Sequence, residues 1–587
     1  MLTALDIKFK LSQRIKQHFH QMPEELMDIQ NMDLSSVKVR EAISRALEGS
    51  KGITLIMGPG GCGKSLIYKL IAHTVGDALC LAPTGIATVN LSARGWVDGM
   101  CPTPVTINRG LGLPPRAYHF TAAIDDVKKT LKKFKERKLG GRPIKLIMVD
   151  EISMVSPNML DLIIAVAGEE NIPLLLFGDP MQLRPVKYNS KKENPNEDAT
   201  QILVKSYADW AFFYSYGWMM LQDTKKCKII LLDSIYRQSD PGFKSLLNRA
   251  RIGELTPADY ELLRSRHTDI APPDALVLCK TNEEVNRINT RRSGHESLSV
   301  RIAPNSAEEK VYLELKSHIA PAYKFERCEK PTKLDELFAL AILNCNNEYT
   351  GEQQMAKVAL LKMEKIKDKI VGRDVFYQSE REKASSLKED DRGLEDDSSF
   401  SPLIALSPFD RIMFTKNFKA IEIKSFLRSK EFGERVKPSV YVANGMMGRY
   451  IGFRHNKTPE LRAVAGHSCL VALLDDGKII LVPQQEYSVE KLVNYNVYTV
   501  VDKAKQFPVK LAYAITLHKS QGLTLDKVHL QLSGQWVDSG MAYLGLSRCK
   551  TLEGLTLGDY NENRDFVVDI DSKNFLNKIE EKQKKEA

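Results

Sequence analysis

Residues 58–65 read Gly-Pro-Gly-Gly-Cys-Gly-Lys-Ser and directly follow the apolar run Ile53–Met57. This is a G-x-x-x-x-G-K-[ST] pattern, whose glycines let backbone N–H groups wrap a phosphate. Because a helical stretch begins at Leu66, the context is the strand–loop–helix that the pattern needs. We expect Lys64 to reach the β- and γ-phosphates and Ser65 to hold Mg²⁺. The alternative is a chance glycine-rich turn. The residues expected to bind nucleotide through this loop are Gly58, Gly60, Gly61, Cys62, Gly63, Lys64 and Ser65.

An acidic pair, Asp150-Glu151, follows another apolar run, Lys145–Val149. A carboxylate at the end of a buried strand can bind Mg²⁺, and a second one can orient and deprotonate the attacking water. We therefore assign Asp150 to Mg²⁺ and Glu151 to the water. The alternative, an exposed acidic pair, fits poorly with the preceding apolar residues. Gln182, after the next apolar run, is a candidate sensor of the γ-phosphate.

Short apolar runs alternate with helical stretches through the first half of the chain. Such alternation favours a parallel sheet covered on both faces by helices. The first series of expected strands is Ile53–Met57, Ala78–Leu81, Lys145–Val149, Pro173–Phe177 and Lys228–Leu232. A second series is Ala275–Cys279, Arg411–Thr415, Leu511–Thr516 and Lys527–Leu530.

Composition limits the class of protein. The chain has 587 residues and a formal charge of +10, which permits a nucleic-acid partner but does not require one. Its nine cysteines include no C-x-x-C pair, which argues against structural zinc and favours free thiols in a reducing intracellular compartment. Nucleus, cytoplasm and mitochondrion stay open. The apolar runs are too short to span a bilayer. Residues 1–22 are basic and predict an ordinary helix, with a transit peptide as the alternative.

Six sequence blocks, in order, resemble the petite-integration-frequency (Pif) helicases of superfamily 1B, which have RecD-like and Dda-like relatives. The similarity covers most of residues 53–558. The blocks are GPGGCGKS (58–65), APTGIATVNL (82–91), VDEISM (149–154), GDPMQLRPV (178–186), YRQSDPGF (236–243) and the C-terminal pair AYAITLHKSQGLTLD (512–526) and AYLGLSRCKTLEGL (542–555).

The resemblance implies an α/β fold with two tandem RecA-like P-loop domains, a small wedge insertion in lobe one and a small β-barrel insertion in lobe two. The implied divisions are an N-terminal extension (1–33), domain 1A with the ATP site (34–110 and 142–235), wedge subdomain 1B (111–141), domain 2A (236–444 and 501–570, with an insertion at 295–405), β-barrel subdomain 2B (445–500) and a tail (571–587). The last eight residues, EEKQKKEA (580–587), are expected to fray.

The resemblance also implies the substrates and the residues that act on them. ATP with Mg²⁺ would bind between the lobes, and an arginine from the second lobe would stabilise the charge that develops on the γ-phosphate. Gly522 joins the nucleotide contacts. The implied catalytic set is Lys64, Ser65, Asp150, Glu151, Gln182, Arg237 and Arg548, with Ser65 and Asp150 at the metal.

For the nucleic acid, the matching positions carry small hydroxyls, amides and a few basic groups. Such side chains contact phosphates without reading sequence, as a translocating motor requires. For each hydroxyl the alternative is an ordinary helix cap or turn residue. The implied positions are Thr84, Thr106, Asn108, Thr516, His518, Ser520 and Lys416.

Two departures from the family pattern bear on function. The family usually has Thr-Ile-His-Ser-Phe where this chain has Thr-Ile-Asn-Arg-Gly at 106–110, preceded by about a dozen extra residues that include Trp96. The grip on the strand in lobe one is therefore expected to differ. Residues 31–57 contain no glutamine to recognise adenine, so nucleotides other than ATP are expected to serve as well.

The wedge is expected within 111–141, with Tyr118 and Phe120 as an aromatic pin. In the same stretch Val127, Leu131 and Phe134 share one helical face, and the rest of that helix is basic. It is either a duplex-contacting helix or an ordinary solvated one. In the β-barrel region, Asp475-Asp476-Gly477 separates two apolar runs and predicts a hairpin.

Three functions remain to be distinguished. The first is a DNA helicase that moves 5′→3′ on single-stranded DNA and acts at single-strand/duplex junctions in replication, repair or recombination. The second is an RNA or single-strand translocase that displaces proteins without unwinding. The third is a nucleotide-gated nucleic-acid-binding module. Intact catalytic positions argue against the third. The oligomeric state is left open.

Overall fold

The structure is a computed structural model of the chain. It describes residues 1–19, 23, 26–49, 52–92, 96–97, 99–113, 120–185, 210–224, 226–292, 298–302, 323–327, 375–378, 380–383, 403–406, 410–423, 438–456, 459–494, 497–534 and 538–586. The predicted pin residue Tyr118 and most of the insertion 295–405 lie outside these ranges.

The helices of the described residues are α1 (Ala4–His18), α2 (Met27–Gln30), α3 (Val37–Leu47), α4 (Lys64–Val75), α5 (Gly85–Ser92), α6 (Ile107–Leu111), α7 (Phe120–Lys138), α8 (Pro157–Glu169), α9 (Tyr216–Asp223), α10 (Pro241–Ile252), α11 (Pro257–Arg264), α12 (Asn282–Arg292), α13 (Pro459–Ala465), α14 (Leu517–Ser520), α15 (Met541–Leu546), α16 (Glu562–Asp565) and α17 (Ile570–Glu586). Short 3₁₀ turns lie at Ile152–Met154 and Phe212–Tyr214.

The strands are β1 (Ile53–Met57), β2 (Ala78–Ala82), β3 (Val105–Thr106), β4 (Leu146–Val149), β5 (Leu174–Gly178), β6 (Cys227–Leu231), β7 (Leu276–Cys279), β8 (Leu298–Ile302), β9 (Tyr323–Arg327), β10 (Val375–Gln378), β11 (Glu380–Lys383), β12 (Leu403–Leu406), β13 (Arg411–Phe414), β14 (Phe418–Glu422), β15 (Val440–Val442), β16 (Met447–His455), β17 (Ser468–Leu474), β18 (Ile479–Pro483), β19 (Gln485–Asn494), β20 (Val497–Gln506), β21 (Val509–Leu511), β22 (Ala514–Thr516), β23 (Val528–Gln531) and β24 (Leu555–Leu557).

The chain divides into two compact units, residues 1–282 with 515–587 and residues 283–514. These are not the boundaries predicted for the two lobes, which stay a prediction. The first unit holds a six-stranded parallel sheet in the order β3-β2-β4-β5-β1-β6. Strands β1, β2, β4 and β5 are buried along their whole length, since helices cover both faces. The first series of predicted strands is confirmed.

A second sheet, in the order β22-β7-β23-β24, belongs to the lobe-two sequence blocks. β23 pairs in parallel with both β7 and β24. The predicted strands at Ala275–Cys279 and Lys527–Leu530 are therefore confirmed. Two helix-covered parallel sheets agree with the RecA-like pair that the family resemblance implies.

The second unit contains a seven-stranded sheet, β15-β14-β18-β17-β16-β13-β21, in which all neighbouring strands pair antiparallel. Its hairpin turns at Asp475-Asp476-Gly477, as the sequence predicts, with Gly477 at φ +85°. The prediction that Arg411–Thr415 continues a parallel sheet is wrong, because β13 pairs antiparallel with β16 and β21. A short apolar run does not encode the direction of its partner. The sheet extends beyond 445–500 on both sides.

Two helices, α7 and α17, pack on lobe one through a few apolar residues. In α7, Val127 and Leu131 are buried, as the shared helical face predicts, and α8 lies against them. Residues 571–586 form most of α17, which buries Leu576 and Ile579 in the lobe-one core. The helix continues through residues 580–586, and the expected fraying of the last eight residues stays a prediction. Within the described residues, no helix is both long and apolar enough to cross a bilayer.

Candidate nucleotide-hydrolysis site

The glycine-rich loop connects β1 to α4 at the carboxyl edge of the parallel sheet. Gly61 and Gly63 lie in the left-handed region, at φ +84° and +86°. A Cβ on Gly61 would come within 2.6 Å of the Arg237 Cβ, so this position also needs glycine for space. The buried Lys64 ammonium donates to the carbonyls of Gly58 (2.7 Å) and Pro59 (2.9 Å). The loop thus concentrates a cation and backbone N–H groups at the start of a helix.

The acidic pair lies where β4 ends. Asp150 is buried, and its backbone N–H donates to the Leu81 carbonyl. Burial, together with the neighbouring charge of Glu151, raises the pKa of the Asp150 carboxyl to about 7. Glu151 adopts φ +49°, a strained conformation for a residue with a side chain. Asp150 is 6% exposed, whereas Glu151 is half-buried.

Mg²⁺ fits the chemistry of this pair of positions. A buried carboxylate beside a second acid is destabilised, and a divalent cation would neutralise it. Ser65 lies at the exposed start of α4 and offers a hydroxyl oxygen, and Mg²⁺ prefers oxygen ligands of these kinds. Asp150 and Ser65 are therefore the residues that would hold it.

Gln182 lies in the loop after β5 and is buried. Its backbone N–H donates to the Asp179 carbonyl, and its Oε1 has no hydrogen-bond partner among the described residues. A buried amide oxygen without a partner is costly unless a ligand or water satisfies it. The start of α15 lies beside this loop, since a Cβ on Gly540 would come within 2.8 Å of the Met181 carbonyl.

Two arginines from the lobe-two sequence blocks lie at the phosphate loop. The Gly61 carbonyl accepts from the backbone of Arg237, whose guanidinium donates to the Ser547 carbonyl at 2.9 Å. Arg548 is 2% exposed. Its Nη2 lies close to Gly60, since a Cβ built on that glycine would be 3.5 Å from it. Burial and the charge of Arg237 lower the pKa of Arg548 to about 10. Two desolvated cations so close together favour an anion between them.

Tyr543 makes a contact that the sequence reasoning missed. Its hydroxyl accepts from the Gly60 N–H at 2.8 Å and donates to Asp179 Oδ2 at 3.0 Å. Asp179 in turn accepts from Nε and Nη2 of Arg251, on α10. Burial would raise the pKa of Asp179, but the Arg251 guanidinium lowers it below its usual value. A fully buried chain thus runs from the phosphate loop to α10.

Gln521 is a second residue that sequence reasoning missed. Its side-chain amide donates to Glu151 Oε2 at 3.2 Å and lies 3.4 Å from the Ser153 hydroxyl. The signal was available, since Gln521 and Tyr543 both lie inside the blocks that carry the family resemblance. Lys69 was also missed. Burial lowers the pKa of its ammonium to about 8, although the Asp150 charge opposes this.

The predicted strand contacts in lobe one are helix caps in this structure. The Thr84 hydroxyl accepts from the Ala87 N–H at 3.3 Å, and Thr106 accepts from Arg109 at 3.4 Å. Asn108 is half-buried on α6. Both threonines lie at carboxyl ends of strands, on the same edge of the sheet as the phosphate loop. Helix capping accounts for the hydroxyl groups at both positions. The role of Thr84 and Thr106 in binding a nucleic-acid strand stays a prediction.

The lobe-two contacts differ in their exposure. Thr516 is buried at the start of α14, and burial lowers the pKa of His518. Ser520 is fully buried and donates to the Leu517 carbonyl, so its side chain does not face solvent here. In the second unit, the Lys416 ammonium lies 4.0 Å from the ring centre of Tyr487. Phe120 begins α7.

An AAA domain family model matches residues 36–193. The chain is 22% identical over 535 residues to the ATP-dependent DNA helicase RRM3 of Saccharomyces cerevisiae, covering 86% of this chain and 62% of that protein. It is 23% identical over 550 residues to the ATP-dependent DNA helicase PIF1 of Candida albicans, covering 87% and 53%. The chain is thus similar to Pif1-family DNA helicases over most of its length.

Solved Pif1 structures have the same fold. Pif1 helicase from Candida albicans matches with a TM-score of 0.60 at 19% identity, over 94% of this chain and 100% of that one. Pif1 from Bacteroides in complex with ADP-AlF3 and ssDNA matches with a TM-score of 0.58 at 20% identity, over 95% and 99%. The chain spans 44–62% of the length of the first curated Pif1-family relatives that it matches.

Proposed function

We propose that this chain is an ATP-hydrolysing DNA helicase that moves 5′→3′ on single-stranded DNA and unwinds duplex ahead of it. The meeting of Lys64, Arg237 and Arg548 at one phosphate loop, near the Asp150-Glu151 turn, carries the proposal. A module that only bound nucleotide would not need two arginines, one of them buried, and a strained acid at the same place. The names of the curated relatives support the DNA substrate.

The proposed reaction follows from these positions. Lys64 exchanges its loop carbonyls for the β- and γ-phosphates of ATP. Asp150 and Ser65 would hold Mg²⁺, which would screen the phosphate charge. Glu151 accepts a proton as water attacks the γ-phosphorus and the bond to the bridging oxygen breaks, leaving ADP and phosphate. Arg237 and Arg548 stabilise the charge on the transferring group.

Coupling between hydrolysis and the strand has a physical route. Gln521 follows directly after the Thr516–Ser520 block, and its amide holds the Glu151 carboxylate. A strand that moves this block would therefore reorient the base that activates water. This arrangement supports ATP turnover that depends on single-stranded DNA.

The proposal also covers the choice of nucleotide and the setting in which the protein works. Nucleotide choice is broader than ATP alone, since no glutamine precedes the phosphate loop in residues 31–57. The protein works in a reducing compartment, which the free described cysteines support, and it acts at junctions of single-stranded and duplex DNA.

ATP turnover with and without single-stranded DNA tests the motor. We expect strand-stimulated turnover that Lys64→Ala abolishes, whereas Lys16→Ala, an exposed lysine of α1, leaves it unchanged. Normal turnover in the folded Lys64→Ala protein would overturn the proposal. Nucleotide binding without turnover in the unaltered protein would favour a nucleotide-gated module.

Forked substrates with one tail, in DNA and in RNA, then test polarity and substrate. We expect unwinding only when the DNA carries a 5′ tail. Unwinding from a 3′ tail would contradict the polarity. Movement without unwinding, or a preference for RNA tails, would favour the strand-translocase alternative.

A further inference from the structure

Two neighbouring cavities lie at the amino edge of the six-stranded sheet, opposite the nucleotide site. Their volumes are about 220 and 490 Å³, and Arg14 of α1 lines both. The smaller cavity also contains Lys138 and Arg142, and the larger one Lys10 and Lys145. The flanking residues precede strands β2, β3, β4 and β5, which fixes the location at the amino edge. Neither the proposed hydrolysis nor the predicted strand contacts use these cavities.

Arg14 is held in place before any ligand arrives. Its Nη2 donates to the Met100 carbonyl at 3.3 Å. Its guanidinium lies against Gly76, where a Cβ would overlap it, and Gly76 has φ +74°. Because Gly76 ends α4, the cation also lies at the negative end of a helix dipole. Its Nε is buried without a hydrogen-bond partner among the described residues, so one donor remains to be satisfied.

The charge of these cavities is strongly positive. Neither lining contains an aspartate or a glutamate, as far as the described residues extend. The nearby carboxylate of Asp77 is 2% exposed and already engages Arg142 at 3.1 Å and Lys145 at 3.0 Å. Asp77 thus engages two of the five cations, and Asp6 lies one helical turn before Lys10 on α1, so that cations still outnumber acids. An anionic ligand would relieve this imbalance.

The positive charge continues out of the smaller cavity along α7. The last two turns of that helix carry exposed basic side chains with a single acid, Glu136, among them. They are Lys132, Lys133, Lys135, Arg137 and Lys138. Earlier on the helix, by contrast, Lys128 pairs with Glu169 and Lys129 with Asp126. At about 1.5 Å per residue the row spans about 9 Å, which suits a polyanion better than a compact anion.

We propose that the Arg14 cavities and the basic end of α7 form a second nucleic-acid contact, which binds the phosphodiester backbone of the duplex. The inference rests on the proposed helicase function. The strand contacts predicted for Thr84 and Thr106 lie at the carboxyl edge of the sheet, whereas this surface lies at the amino edge. If the single strand binds at the carboxyl edge, the amino edge remains accessible to the duplex part of the same DNA. Lysine and arginine side chains that contact only phosphates bind DNA without regard to its base sequence, as this contact requires.

Binding of a blunt DNA duplex at several salt concentrations tests the contact. The variants are Arg14→Gln, Lys138→Gln and both together, with Lys16→Gln as a control of equal charge on the exposed face of α1. We expect the double variant to weaken duplex binding on the order of tenfold at low salt and to reduce the salt slope by about 2. The control should match the unaltered protein, and thermal unfolding should show that all variants are folded.

Since Arg14 packs against Gly76, Lys138→Gln alone keeps the test valid if Arg14 variants fail to fold. Unchanged duplex affinity and salt slope in folded variants would overturn the inference. Competition distinguishes other anions. Tripolyphosphate that displaces duplex at equal concentration of phosphate would assign the cavities to a free polyphosphate and overturn it. Polyglutamate competing as well as duplex would point to an acidic protein instead, with the same consequence.

ATP turnover separates this inference from the proposed function. We expect the double variant to keep turnover stimulated by a single-stranded oligonucleotide, because neither residue touches the nucleotide site. If the unaltered protein shows no strand stimulation, the helicase proposal fails first. If stimulation is normal but the variants bind duplex as the unaltered protein does, only the second contact fails.

Discussion

The Tyr543 hydroxyl accepts a hydrogen bond from the Gly60 N–H at 2.8 Å, which joins the lobe-two block to the phosphate loop. The same hydroxyl donates to Asp179 and so links the loop to the buried Asp179–Arg251 pair. The position of the loop therefore depends on a residue from the far end of the sequence.

We predict that Tyr543→Phe displaces the phosphate loop. The Gly60 N–H would lose its acceptor in a buried site, which costs about 1–3 kcal/mol. Nucleotide affinity should fall measurably by titration with a fluorescent ATP analogue, and thermal stability should fall with it. Tyr216→Phe is the control, since Tyr216 is 68% exposed. Unchanged affinity in the folded variant would show that the hydrogen bond does not position the loop.

Replacing Arg548 should reduce turnover more than binding. Arg548→Lys retains a charge but loses the planar donor pair, so we expect kcat to fall on the order of 1,000-fold. Nucleotide affinity should change little, because the charge it stabilises develops in the transition state. Steady-state kinetics separate kcat from KM. Arg264→Lys, in an exposed pair with Glu562, is the control. Equal losses in binding and turnover would argue against the transition-state role.

The Asp150 carboxyl gives the metal-free protein a pH dependence. Its pKa is raised to about 7, so protonation of Asp150 stabilises the folded state at low pH. That stability is complete below the unfolded pKa near 4 and is lost as pH rises through 7, by at most about 4 kcal/mol. Asp150→Asn should therefore be more stable than the unaltered protein at pH 8, with the difference disappearing by pH 4, as followed by thermal unfolding in EDTA.

Metal binding should oppose that protonation. We expect the affinity for Mg²⁺ with nucleotide to fall as the pH drops below 7, because the proton and the cation compete for Asp150. Calorimetric titration at pH 6 and pH 8 measures the difference. An affinity independent of pH would place the cation elsewhere.

Gln521→Ala should uncouple turnover from the strand. Without its amide, Glu151 loses an orienting partner, and strand-stimulated turnover should fall more than basal turnover does. Gln30→Ala, at the end of α2 and outside both cavities, is the control. A proportional loss in both rates would indicate that Gln521 supports the site without coupling it to the strand.

The last helix should contribute to the stability of lobe one. Leu576 is 1% exposed, so Leu576→Ala is expected to lower the free energy of unfolding by about 2–5 kcal/mol. Leu5→Ala should have little effect, since Leu5 is 81% exposed. Denaturant unfolding measures both. Equal stability of the two variants would show that the packing of α17 does not stabilise lobe one.

The amino-acid sequence alone was enough to predict the phosphate loop, the acidic pair and the first parallel sheet. Each depends on local chemistry, since glycines, a lysine and apolar runs of five residues act through their neighbours in the chain. The hairpin at Asp476-Gly477 could likewise be predicted, because its turn depends on residues adjacent in the chain. Arg237 and Arg548 were identified through the family blocks, and their place at the loop follows from the fold.

The remaining contacts emerge only when the chain is folded. The direction of β13, the docking of α17 and the bonds of Tyr543 and Gln521 all join residues far apart in the chain, and no local pattern encodes such partners. The same holds for Arg14, which in the sequence is one charge on a basic helix. Its place against Gly76 comes from packing, because the absence of a single Cβ creates the space for its guanidinium.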